Sequence, residues 1–155
     1  MTDVVRIWVE ISHHAAFRCG GWAFVRQDGP ALSGAAGGDR AVTPERAVLG
    51  GLAETLKDLP GGVWVEVYTS NRDIIALPQR IAGFAAGDDA PTADLDLWAQ
   101  VSTALKAIRI VPAASLAGTP TAFAAAWAEL ARDKAKATGG FRSPIPKPNL
   151  AKAGV

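Results

Sequence analysis

Between Val4 and Ser12 the chain reads VVRIWVEIS, with apolar and polar side chains alternating along most of the stretch. That period sets one row of side chains on each face of an extended segment and predicts a half-buried strand. GGWAFVRQ, opened by Gly20 and Gly21 and closed by Asp28-Gly29, and the ALSGAAGG that follows predict two more strands joined by a tight turn. Three antiparallel strands therefore come first. The period then changes: Val48, Leu49, Leu52 and Leu56 recur at helical spacing behind Thr43, Pro44 and Glu45 until Pro60-Gly61-Gly62. A capping Thr, a first-turn Pro and an early acid are the start signals of a helix, and the Pro-Gly-Gly run stops it.

Alternation returns in VWVEVYTS (Val63 to Ser70), a fourth strand, and NRDIIALPQRIAGF behind it predicts a short helix interrupted or kinked at Pro78. After a loop from Gly87 to Pro91, Leu97, Val101, Leu105 and Ile108 mark a helix over Asp94 to Ile108, followed by the short strand RIVPAA. A last helix spans about Pro120 to Ala137, and Gly139-Gly140 lie past its end. FRSPIPKPNLAKAGV carries three closely spaced prolines and no period, which predicts an extended or disordered tail. The expectation is an α/β domain over residues 1–138, with a five-stranded mixed sheet flanked by helices, and a basic tail over 139–155. No internal repeat is visible.

With 155 residues, 49% of them hydrophobic, the chain is the size of one domain with a real core. The longest uncharged stretch, Ile110 to Ala128, is interrupted by Pro112, Gly118 and Pro120 and is mostly alanine, so it is not expected to span a membrane. MTDVVRIWVEIS lacks the basic region, long apolar run and cleavage site of a secretory signal, and Cys19 stands alone; both fit a reducing cytoplasm. The net charge of +1 hides an asymmetry. Residues 1–131 hold ten Lys or Arg against fourteen Asp or Glu, while six basic residues from Arg132 onward face Asp133 alone. Such a tail suits nucleic acid, an acidic protein surface, anionic lipid or plain solubility.

Four stretches, in this order and spacing, resemble the type 1 ribonuclease H family from about Val4 to Ala137: VEIS with GGWAFV, TPERAVLGGL, VEVYTSN, and DLWAQVSTAL with ASLAGTP and AELAR. The resemblance implies a ribonuclease H-like fold. It also implies cleavage of the RNA strand of an RNA-DNA hybrid by two divalent ions held by several carboxylates, a chemistry in which the ions clamp the attacking and leaving oxygens. On this chain the matching positions are Glu10 for the first strand's Asp, Val48 for the helix Glu, Ser70 for the Asp ending the fourth strand, Ala126 or Ala128 for the last helix's Asp, and Leu116 for the loop His. Glu10 alone is acidic. Magnesium prefers near-octahedral oxygen ligands, so Glu10 is expected to recruit at most one weak ion and not to fix two. No cofactor or metal site is expected, and no catalytic residue.

Two further acids lie near these positions. A register shift would bring Glu45 to the helix position at the expense of the Thr43, Arg46 and Leu49 matches, and Asp73 lies one turn into the next helix, where it complements the helix dipole. His13 and His14 are adjacent and point to opposite sides of extended backbone, a poor chelate. Arg18, Trp22 and Arg46 are the candidate contacts to nucleic acid, while the acidic GFAAGDDAPTADLD offers no basic platform. The five tryptophans fit core packing or a sheet-face interface better than base stacking. In the tail, Phe141, Ile145 and Leu150 are possible anchors for a partner's groove. The expected function is a non-catalytic binding or adaptor module for a partner protein or a second copy; the alternatives are a pseudo-nuclease that binds hybrid, RNA or single strands, and a residual metal-dependent nuclease.

Overall fold

The computed structural model describes residues 4–155. The element order is β1 (Val4–His14), β2 (Cys19–Asp28), β3 (Ala31–Asp39), α1 (Pro44–Leu56), β4 (Trp64–Thr69), α2 (Arg72–Ala85), α3 (Leu95–Leu105), β5 (Ile108–Pro112), α4 (Pro120–Thr138), β6 (Phe141–Pro144) and α5 (Lys147–Leu150). The strands form one mixed sheet in the order β5-β4-β1-β2-β3-β6, with β1-β2, β2-β3 and β3-β6 antiparallel and β1-β4 and β4-β5 parallel.

Alternation along β1 decides which layer each side chain joins. Val5, Ile7 and Val9 point into a core shared with Leu49 and Leu52 of α1, Ile74 and Leu77 of α2, and Trp98 and Val101 of α3. The opposite face meets α4, which packs over β1, β2 and β3. That contact is close because both surfaces are small. A Cβ on Gly21 would collide with the backbone carbonyl of Ala128, and Ala124, Ala128, Ala131 and Ala135 line the buried side of the helix. Arg40 holds the far end of α4, its guanidinium donating to the carbonyls of Ala135 and Lys136 at 2.9–3.1 Å.

Thr43 caps α1 as its sequence position predicts, its hydroxyl accepting from the Arg46 N–H at 3.1 Å. Two expectations change. The second helix is not interrupted at Pro78: it continues to Ala85, with Ile74 and Leu77 fully buried in the turn before the proline and Asn71 capping its start. The sheet has six strands, not five. The segment expected to be an extended or disordered tail pairs as β6 with β3, and the Ile145 N–H donates to the Gly34 carbonyl at 2.9 Å. Ile145, Leu150 and Ala153 then bury themselves against β3 and α4. The prolines do not oppose this: β6 is an edge strand, where a missing N–H is tolerated.

Because Leu150 is 3% exposed, Leu150→Ala is expected to cost about 2–5 kcal/mol in a urea titration. A loss near zero would mean that the segment is not docked in solution.

Candidate functional site

β1 and β4 run parallel in neighbouring positions, so the last residues of β4 arrive beside Glu10. Glu10 is 4% exposed and receives several donors from that end. The Ser70 hydroxyl donates at 2.5 Å and the Ser70 N–H at 3.1 Å, while the Thr69 hydroxyl donates at 3.3 Å. Thr69 is held in turn, its hydroxyl oxygen accepting from the Asn71 N–H at 3.0 Å. Burial pushes the Glu10 carboxyl above its ordinary range, and the Ser70 and Thr69 hydrogen bonds pull it partly back. An anion in this place is partly offset by O–H and N–H dipoles.

The remaining positions implied by the family resemblance carry no compensating acid. Val48 is buried in the α1 core and Ala128 is fully buried where α4 rests on β2. Ala126 and Leu116 are exposed. Glu45 is taken by Arg80 of α2 at 2.9 Å across a recess of about 190 Å³ that also includes Val48 and Asp73. Among the described residues there is no group of three or more His, Cys, Asp or Glu side chains placed to hold a metal ion. The residues present do not fit a pair of magnesium ions, which needs several carboxylates converging on one point. His13 is a structural residue: its Nε2 lies 2.8 Å from the Val42 carbonyl.

The three candidate nucleic-acid contacts divide. Trp22 and Arg46 line the same cleft of about 410 Å³ between α1, the ends of β2 and β3, and β6, whereas Arg18 lies outside it in the β1-β2 turn with a left-handed backbone (φ 51°). Trp22 is 7% exposed. Its indole packs against Gly37, where any Cβ would strike the ring. Arg46 pairs with Asp94 at 2.8 Å and Asp96 at 3.7 Å, and the Asp94 hydrogen bond raises its already high pKa. Two residues that the sequence did not single out complete the picture. Arg142 sets its guanidinium 5.6 Å from the Trp22 ring and bonds Glu54 at 3.1 Å; along the sequence it is merely one charge of a basic segment. Thr69 lies within the VEVYTSN stretch, and its role depends on strand pairing.

No protein-family model matches the chain, and no curated protein matches it. Solved structures do. LC9-RNase H1, described as a type 1 RNase H with the type 2 active-site motif, aligns at TM-score 0.72 and 15% identity over 100% of this chain and 82% of that one. LC11-RNase H1 in complex with RNA/DNA hybrid aligns at TM-score 0.61 and 17% identity, covering 84% of this chain and 98% of that chain. The N-terminal RNase H domain of a Mycobacterium tuberculosis protein aligns at TM-score 0.57 and 18% identity, covering 88% and 99%. The fold is ribonuclease H-like.

The raised Glu10 pKa has a signed consequence. A carboxyl whose folded-state value lies above its unfolded value near 4.5 contributes full stability below that value and loses it as pH rises through the folded-state value. Thermal melts of Glu10→Gln and the native chain should therefore converge in acid, and the variant should gain relative stability as pH rises above 4.5. A variant whose relative stability falls over that range would contradict the assignment.

Proposed function

We propose that this ribonuclease H-like fold does not cleave RNA and works as a binding or adaptor module for a protein partner or a second copy of itself. The observation that carries the reading is the closed hydrogen-bond set on Glu10, with Ser70 as its donor where the family chemistry calls for a second carboxylate. Two-ion hydrolysis needs carboxylates that converge on both ions. Val48 and Ala128 contribute apolar packing at the other two positions. A buried Glu10 with three protein donors has its oxygens committed, which weakens its attraction even for one ion. The terminal segment is not the docking element in this reading, since Ile145 and Leu150, two of its three candidate anchors, are already buried in the chain's own core.

A second reading keeps nucleic acid as the ligand. It is favoured by one observation, the cleft that gathers Trp22, Arg46 and Arg142. Against it, both arginines are neutralised by neighbouring acids. Phosphate binding needs cations free to release counterions.

Incubation of an RNA-DNA hybrid with the chain and Mg²⁺ or Mn²⁺ is expected to give no cleavage; robust turnover that disappears in Glu10→Ala would overturn the non-cleaving reading. A gel-shift series with hybrid, duplex RNA and single strands is expected to show no retention even at low salt. Salt-dependent retention lost in Arg46→Ala would move the conclusion to the second reading.

A further inference from the structure

The two layers flanking the sheet are unequal. Three helices cover one face, but on the other α4 packs chiefly over β1, β2 and β3, with α5 beside it on β3. Among the described residues no helix packs closely above the α4-side residues of β4 and β5. By alternation they are Trp64, Glu66 and Tyr68 on β4 and Arg109 and Val111 on β5, continuous with Arg6 and Trp8 of β1. Trp8 and Tyr68 stack at 5.4 Å, and Glu66 is shared by Arg6 at 3.5 Å and Arg109 at 3.9 Å. Trp64 is 48% exposed. This is an apolar, aromatic trough with two arginines against one acid.

The width of the trough suits one element. Strands lie about 4.8 Å apart, so β4, two strands from β2, lies about 10 Å to the side of it, the distance at which a second helix packs beside a first. The chain itself carries a helix surface of matching chemistry. On the outer side of α4, Ala126, Glu129, Leu130 and Asp133 form one exposed stripe at helical spacing, with Leu130 61% exposed. Ala122 and Ala125 beside that stripe allow a neighbouring helix to approach closely. The stripe has one large apolar knob and two acids; the trough has an apolar floor and two arginines.

We propose that the trough is filled by α4 of a second copy, two chains pairing face to face about a two-fold axis with their α4 helices antiparallel between the two sheets. Each α4 then covers its own β1 to β3 and the partner's β4 and β5. The pairing is isologous, so every contact is made twice, and it closes at two copies. Leu130 enters the Trp64-Tyr68 floor, and Glu129 and Asp133 meet Arg6 and Arg109 across the axis. The inference rests on the binding-module reading in naming self-association as its form, but it is read by mass and not by hydrolysis. Turnover of a hybrid by a dimer would remove the non-cleaving reading and leave this one standing.

The test is sedimentation equilibrium on the full chain from low to high micromolar concentration, with the same series for variants. The native chain is expected to reach twice 16.1 kDa. Leu130→Glu and Trp64→Glu, both at exposed positions and checked for fold by circular dichroism, are each expected to return it to a monomer. Arg109→Glu and Glu129→Arg are each expected to weaken association by about tenfold, as desolvated interfacial charges do, and the double variant to restore it. A native chain that stays monomeric throughout, or a dimer indifferent to both apolar substitutions, would overturn the proposal. So would a monomer whose Trp64 face retains a single-stranded oligonucleotide.

Discussion

The seat of α4 on the sheet is the contact on which the remaining architecture depends. Gly21 of β2 comes so close to the helix backbone that no side chain fits between them, and four buried alanines complete the surface. Helix and sheet therefore meet backbone to backbone over a long contact, with little side-chain entropy lost on ordering. Arg40 fixes the far end of the helix and Arg132 donates from its middle to Ser12 of β1 at 2.9 Å. Once α4 is seated, Ala128 has no freedom to become a larger group without lifting the helix. The chemistry available at that position is thus set by packing.

A similar constraint governs Glu10. Parallel pairing of β1 with β4 brings Thr69 and Ser70 to it, and the low exposure of the site strengthens each dipole acting on the carboxylate. The same burial penalises an unpaired charge. Those two effects together explain why two hydroxyls and an amide converge on one side chain. On the other side of α1, the Arg46-Asp94 and Arg142-Glu54 pairs hold the arginines of the large cleft against acids.

Much of this was legible along the chain, and the parts that were not share a cause. The strand alternation from Val4, the Thr43-Pro44 helix start and the glycines of β2 are local signals, and each led to the right element. Glu10, Val48 and Ser70 could be located by resemblance, and Glu10 and Ser70 do meet. The sixth strand was hidden because FRSP is four residues long, rich in features of loops, and pairs with β3 more than a hundred residues away. Pro78 left an interruption or a kink open, and what carries the helix past it, the burial of its neighbours, is a tertiary fact. Arg142 looked like one charge of a tail, yet it belongs to the Trp22 cleft, and Arg46 looked free until the α2-α3 loop brought Asp94 to it.

The bonding around Glu10 also acts as a ratchet on the history of the chain. An acid introduced at Ser70 alone would remove the hydroxyl donor on Glu10 and set a second negative charge against that buried carboxylate. One at Val48, 6% exposed, would set a largely buried charge in the recess that already holds Glu45 and Asp73. Each step toward a two-ion site is uphill until several have been taken together, so single substitutions lead away from that chemistry more easily than toward it.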